Sequence, residues 1–233
     1  MSGKLIVFEG LDRSGKTTQA HLLFDYLIYN DIQAVLLSFP ERETTIGTLL
    51  DKFLKSNENL DKEALYLMFA ANRYEMKGKI NDYLQKGYYV ILDRYKYSGL
   101  AYGLANGLDL EWMESIERAL PNPAFKFYLD TSLDITSKRQ GFGSERGETL
   151  SYQKMVLDGY HEILDNTWII LDGALEVKEI KRKIKAIVCP LYPHHHSTHC
   201  HKCGTDFYQG DSECVLENKG GDFYCSPECV SSM

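Results

Sequence analysis

The residues Gly10-Leu11-Asp12-Arg13-Ser14-Gly15-Lys16-Thr17 have the spacing G-x-x-x-x-G-K-[ST]. In that pattern the glycines let backbone N–H groups turn inward around phosphate oxygens. The lysine reaches the β and γ phosphates, and the hydroxyl is offered to Mg²⁺. Lys16 and Thr17 take those places here, with Thr18 next in the ATP set. An apolar run, Leu5 to Phe8, precedes the loop and an amphipathic segment, Lys16 to Asn30, follows it. A helix beginning at Lys16 adds its positive end to the pull on anions. Such a loop binds a nucleoside triphosphate, but by itself it does not separate a kinase from a GTPase or a motor.

Three further clusters narrow the chemistry. Asp93 and Arg94 follow the apolar run Tyr88 to Leu92, at the end of a buried strand where open α/β sheets bind ligands. Asp93 can hold Mg²⁺ through water, and Arg94 can clamp a phosphate in a fork. Taken alone, the two also read as a surface ion pair. Phe39-Pro40-Glu41-Arg42 places a second arginine just past another strand. Arg139 to Arg146 has two arginines and two glycines, which suits a lid that closes over phosphates and excludes water. Lys16, Arg13, Asp93, Arg94 and Arg146 are therefore the candidate catalytic set.

These residues need a frame. Apolar runs at Leu5–Phe8, Ala34–Phe39, Tyr88–Leu92, Phe125–Leu129 and Trp168–Leu171 alternate with helical patterns. Helices are expected over Lys16–Asn30, Lys62–Gln85, Leu110–Leu120, Leu133–Arg139, Tyr152–Asp165 and Val177–Val188. Continuous apolar strands spaced by helices predict a parallel sheet covered on both faces, an α/β class. With 44% hydrophobic and 25% charged residues the composition is that of an ordinary globular protein. The net charge of −7 disfavours a nucleic-acid partner. The N-terminal apolar run is too short for a signal peptide, and no stretch has the length of a membrane span. The expected compartment is the cytoplasm, with the nucleus left open.

Composition changes near residue 189. All six cysteines lie from Cys189 onward. The expected division is a phosphate-binding domain over 1–188, a His- and Pro-rich linker over 189–199, and a Cys-rich module over 200–233. Cys200-x2-Cys203 and Cys225-x3-Cys229 could give Zn²⁺ a closed tetrahedral shell of thiolates. His199, His201 or Cys214 could replace one ligand, and disulfides or unbound thiols are the rivals. So short a segment buries little core without a staple. The tail resembles small treble-clef or zinc-knuckle modules. A protein partner is the expected use of it.

The residues before 189 resemble the thymidylate kinase family. The resemblance rests on Glu9 to Thr17, on Phe39-Pro40-Glu41-Arg42 with Ile46-Gly47, and on Phe69 to Glu75. It rests also on Asp93-Arg94-Tyr95 with Ser98-Gly99, and on Phe142-Gly143 with Glu145-Arg146. It implies a five-stranded parallel sheet with helices on both faces, a homodimer, and Mg²⁺-dependent transfer of phosphoryl from ATP to dTMP. It also implies roles. Asp12 contacts the acceptor's 3′-hydroxyl, and Arg13 is the arginine of the phosphate loop. Phe69 stacks on thymine, and Arg73 bonds its carbonyl edge. Arg42 and Arg94 hold the acceptor phosphate, with Phe39, Ser98 and Gly99 in the same substrate set. Tyr102 crowds the sugar 2′ position, Gln153 lies near the acceptor, and Arg139 lies near the donor base. Phe69 and Arg73 are four apart on one expected helix and so share a face. Plain core packing is the ordinary reading of such a phenylalanine. One departure stands out: Gly147 occupies the place after Glu145-Arg146 where the family has a tyrosine. A kinase for another deoxynucleotide or a deoxynucleoside is the nearer rival reading. The farther one is a weakly active nucleotide-binding module that recruits a partner through its zinc tail.

Overall fold

The computed structural model describes residues 3–56, 59–143, 147 and 149–189, together with four short strands at 197–199, 206–208, 216–217 and 223–224. Five strands form the main sheet: β1 (Lys4–Glu9), β2 (Ala34–Ser38), β3 (Tyr89–Asp93), β4 (Phe125–Asp130) and β5 (Ile169–Asp172). Their order is β2-β3-β1-β4-β5, and every pairing is parallel. β3 and then β2 lie to one side of β1, and β4 and β5 to the other. The crevice past the carboxyl ends of β1 and its neighbours is therefore a topological switch point, the usual ligand position in such sheets.

Both faces of the sheet are covered, as the near-continuous apolar runs require. On one face Ile6, Phe8, Ile91, Phe127 and Leu129 pack with Ala20, Leu23 and Leu27 of α1 (Lys16–Tyr29) and with Ile180, Ile184 and Val188 of α8 (Val177–Val188). On the other, Leu5, Val7, Val90 and Leu92 meet Met76 and Ile80 of α3 (Lys62–Gln85). α4 (Lys96–Ala105) lies along α7 (Leu150–Ile163). There Ala101 joins Val156 and Tyr160 in a third cluster around Leu11 of the phosphate loop. The remaining helices are α2 (Thr45–Lys55), α5 (Leu110–Glu117) and α6 (Leu133–Thr136).

Four helices, α2, α3, α5 and α7, start at side-chain caps visible in their own sequence. Thr44 accepts a bond from the Gly47 N–H, and Asp109 one from the Trp112 N–H. α1, α4, α6 and α8 have no neighbouring side chain that caps them, but in α4 a distant residue caps the first turn. Glu9, at the end of β1, does so from across the sheet. Its Oε1 accepts from the N–H groups of Tyr95 at 2.8 Å and Ser98 at 3.1 Å.

The tail contributes two small hairpins: β6 (Ser197–His199) with β7 (Asp206–Tyr208), and β8 (Leu216–Glu217) with β9 (Phe223–Tyr224). The proposed zinc ligands Cys200, Cys203, Cys225 and Cys229 lie outside the described residues, as does Arg146. Cys189 packs with the α1–α8 cluster at 8% exposure, so the folded domain of the main sheet includes it. Among the described residues no helix is long and apolar enough to cross a membrane.

Candidate active site

The phosphate loop needs backbone conformations that side chains resist. Gly10 and Gly15 have φ of 141° and 105°. A Cβ on Gly10 would come within 2.8 Å of the Leu129 carbonyl oxygen, so a larger residue there would push the loop off β4. Arg13 also has a positive φ. α1 then begins without a side-chain cap and without an acidic residue in its first turn. Its leading N–H groups and positive end are left for an anion.

A cavity of about 650 Å³ opens over this loop. Asp12 to Thr18 form its floor. Phe39, Asp93 and Arg94 form one wall, and Arg139, Gly173, Leu175 and Val177 the other. The second wall is partly apolar, with the Arg139 guanidinium tied to the Arg13 carbonyl at 2.5 Å and the Gly173 carbonyl at 3.2 Å. Arg13 returns the tie by donating to the Gly141 carbonyl at 2.8 Å. The loop and the start of the lid segment are thus cross-bonded.

Lys16 is 5% exposed and donates to the Leu11 carbonyl at 2.6 Å. Burial, then the nearby charge of Arg94, pushes its ammonium down to about 8. Thr17 Oγ1 donates to Asp93 Oδ2 at 2.5 Å. The other oxygen, Asp93 Oδ1, is buried and has no hydrogen-bond partner among the described residues. A hydroxyl beside a carboxylate with an unused oxygen is a donor set that fits Mg²⁺, a hard cation that keeps several waters.

A second set of residues centres on Asp12. Its carboxylate pairs with Arg94 and accepts from Tyr102 Oη at 2.7 Å and Gln153 Nε2 at 2.8 Å. Burial alone would raise its carboxyl, but the charges of Arg94 and Lys16 outweigh it, and the group is held below the usual range. Asp12 is therefore an anion and a hydrogen-bond acceptor, not a poised acid. Arg94, with φ 68°, also donates to the Gly10 carbonyl at 3.2 Å and to Ser98 Oγ at 2.9 Å. Ser98 in turn donates to Glu9 Oε2 at 2.5 Å.

Phe69, Arg73, Arg42, Tyr102 and Gln153 do not line the large cavity. Phe69 is half-buried and belongs to none of the four apolar clusters, so it is not simply a core residue. Arg73 is 3% exposed and paired with Glu117. Gly99 lies against its guanidinium: a Cβ there would stand 2.7 Å from Nη2. Arg42 pairs with Asp51 at 2.7 Å. Its loop is fastened to α3 by Asn72, which accepts from the Glu41 N–H and donates to the Glu41 carbonyl. At Gly147 the φ is 90° and a Cβ would stand 3.1 Å from the Tyr152 ring. Gln153 donates to the Gly147 carbonyl at 3.0 Å.

Two contributors have no signal of their own in the sequence reading: Glu9 as the distant cap of α4, and Glu117 as the partner of Arg73. Glu9 sits just before the phosphate-loop motif and reads there as a strand end. Glu117 is one acid among several on a short helix, and only the tertiary fold selects it.

A parallel sheet of this order, with a phosphate loop after its first strand and a hydroxyl–carboxylate pair for Mg²⁺, defines a P-loop protein that handles nucleoside triphosphates. The thymidylate kinase family model matches residues 8–184. A thymidylate kinase of Arabidopsis thaliana is 39% identical over 186 residues, covering 80% of this chain and 71% of that protein. The Homo sapiens thymidylate kinase is 34% identical, over 79% of this chain and 89% of its own. The solved thymidylate kinase of Candida albicans superposes with a TM-score of 0.74 at 36% identity, covering 80% of this chain and 91% of that one. The chain belongs to the thymidylate kinase family.

Proposed function

We propose that this chain transfers the γ-phosphoryl group of ATP to dTMP, giving dTDP and ADP. One observation carries the reading beyond family membership. Arg94 touches the phosphate loop at Gly10 and the second site at Asp12 and Ser98. A single guanidinium thus stands between the two places where phosphates belong. ATP lies in the large cavity, with its base against the wall of Arg139, Gly173 and Leu175. Lys16 and Arg13 neutralise the transferring group. Thr17 and Asp93 would hold Mg²⁺, which would neutralise charge on the transferring phosphoryl group. Arg146 adds charge from the lid. The acceptor phosphate attacks directly, so the protein positions and neutralises and forms no covalent intermediate.

The acceptor lies across Asp12, Tyr102 and Gln153, with its phosphate on Arg94 and Arg42 and its base on Phe69 and Arg73. Phe39, Ser98 and Gly99 complete this side. Tyr102 crowds the 2′ position and so favours deoxyribose. The test is a steady-state comparison of dTMP, dUMP, dGMP and thymidine as acceptors. dTMP should have the highest kcat/KM, and thymidine, lacking the phosphate for Arg94, should be the poorest. A preference for thymidine would overturn the assignment. In Phe69→Ala the KM for dTMP should rise roughly tenfold, the size of one base–aromatic stack, with the KM for ATP unchanged. A rise in the ATP value alone would mean that the acceptor side is misplaced.

The enzyme acts as a cytoplasmic homodimer, to which the exposed Leu49 of α2 and Leu67 of α3 offer apolar surface. The tail holds one structural Zn²⁺ through Cys200, Cys203, Cys225 and Cys229, and serves a protein partner rather than the chemistry. The support is the ligand spacing and the segregation of cysteines beyond the kinase motifs. Zinc binding and folding of so small a module are one event. Metal analysis should find about one zinc per full chain and none in a chain ending after Cys189. Both should phosphorylate dTMP at similar rates. A zinc-free full chain would refute the metal site, and a folded but inactive shorter chain would place the tail in the mechanism.

A further inference from the structure

We propose that Glu117 is a positioning residue that sets which pyrimidine the acceptor site takes. By gripping one edge of the Arg73 guanidinium it fixes the angle at which the other, donor-only edge meets the base, so that a ring carbonyl is selected and a ring amino group rejected. The inference rests on the reading that Arg73 contacts the acceptor base.

Glu117 stands at the last residue of α5 and is 2% exposed. A carboxylate at a helix C-terminus faces the negative end of the helix dipole, so its own element gives no reason for it. The reason is on α3. Arg73 Nε donates to Glu117 Oε2 at 3.1 Å, and Arg73 Nη2 donates to Glu117 Oε1. This is a fork-to-carboxylate pair with both partners sealed from water, a geometry that fixes orientation as well as position. Tyr66, two turns earlier on the same face of α3, donates to Glu117 Oε1 at 3.0 Å and steadies the carboxylate. Gly99 of α4 closes the other side. A Cβ on it would come 2.7 Å from Nη2 and 3.3 Å from Nη1, so the guanidinium lies flat on bare backbone.

The two bonds use Nε and Nη2. Nη1 has no hydrogen-bond partner among the described residues. Phe69 lies one helical turn before Arg73 on α3 and stands outside the apolar clusters, ready to take a flat ring. A guanidinium has donors and no acceptor. Glu117 uses its acceptors on Arg73 and Tyr66. The free edge is thus donor-only and held at one angle. A carbonyl oxygen at the facing ring position is bonded, whereas an amino group would set donor against donor. A purely structural pair is the weaker account, because a buried ion pair adds little net stability over apolar side chains of the same volume.

The experiment measures kcat and KM for dTMP, dCMP and ATP in the wild type, Arg73→Ala, Glu117→Gln and Tyr66→Phe. Glutamine offers an N–H where the fork needs an oxygen, so Arg73 is no longer held at both points. Arg73→Ala and Glu117→Gln should each raise the KM for dTMP by about tenfold or more, the worth of a hydrogen bond to a charged group. The KM for ATP should not move, and the preference for dTMP over dCMP should shrink by a similar factor. Tyr66→Phe should show the same pattern at about two- to fivefold. If Arg73→Ala leaves the KM for dTMP at the wild-type value, the base-contact reading fails and the proposal fails with it. If Arg73→Ala raises that KM while folded Glu117→Gln keeps both the KM and the acceptor preference, the base contact stands and the role of Glu117 is overturned. Should Glu117→Gln not fold, Tyr66→Phe decides. A wild-type KM and preference in that variant overturn the proposal, and a joint few-fold loss supports it.

Discussion

Lys16→Met is expected to lower kcat by about 10²–10³-fold, the loss that follows removal of one preorganised donor to a developing charge, about 2.7–4 kcal/mol. The same variant should be at least as stable as the wild type when no nucleotide is bound. Lys16 is a charge held in a nearly closed site, with its ammonium pushed down to about 8 by burial and by Arg94. The unfolded chain therefore holds more protons than the folded one between about pH 8 and the ordinary lysine value of 10.5. Stability from this group is lowest below that window and recovers as pH rises through it. The stability difference between the methionine variant and the wild type should be largest near pH 7 and narrow by pH 9. Bound phosphates favour the charged form, so ATP affinity should fall as pH climbs past about 8. Steady-state assays and thermal melts over pH 7–9 check all three statements. Near-wild-type turnover in the purified variant would refute the role of Lys16.

Glu9→Ala is expected to destabilise the fold by about 3–5 kcal/mol, the cost of removing one partner from a buried charged network. For a chain of this size that is a drop of roughly 10 °C in melting temperature. Glu9 is fully buried, and its carboxylate satisfies the N–H groups of Tyr95 and Ser98, Ser98 Oγ and Tyr160 Oη at 2.9 Å. Without it the first turn of α4 loses its cap, and Arg94, just before that turn, loses the frame that holds its positive φ. Activity should fall together with stability. Burial raises the Glu9 carboxyl, outweighing its hydrogen bonds and the charge of Arg94. The folded chain thus binds this proton more tightly than the unfolded one. Its contribution to stability is greatest below the ordinary glutamate range and declines as pH rises through the raised value. Glu9→Gln, which keeps one acceptor oxygen, should lose less than the alanine variant. A melting temperature for Glu9→Ala within about 2 °C of wild type would show that the network is not what holds α4.

The strands were legible because each is a short apolar run that ends at a turn or a charge. All five fall within about a residue of the expected runs. Trp168 is the instructive miss: it precedes β5 and packs edge-on against Tyr97 at 4.7 Å instead of extending the strand. α3 and α8 match their expected ends because amphipathic spacing and termini agree locally. The expected list of helices omits α2 and α4. α2 opens on Thr-Ile-Gly, which is poor in helix formers. α4 carries Gly99 and Gly103, and its cap comes from Glu9, far away in sequence. The glycines look like helix breakers until their neighbours are known: Arg73 lies against one and Met113 against the other. The phosphate loop was readable because all its parts are contiguous. Glu117 and the Asn72 clasp on the Arg42 loop were not, because each takes its meaning from a residue on another element.

The pairing of Arg94 with Asp12 has a consequence for how an acceptor enters. This guanidinium already has a counter-ion in Asp12, so it does not stand as a bare cation. If the acceptor phosphate binds Arg94 as proposed, its arrival is an ion exchange, in which one anion replaces another on that guanidinium. Asp12, released, keeps Tyr102 and Gln153 as donors and can turn to a sugar hydroxyl. The exchange works as a toll on composition: a nucleoside brings no anion to exchange, so it must leave the Arg94–Asp12 pair closed and bind beside it.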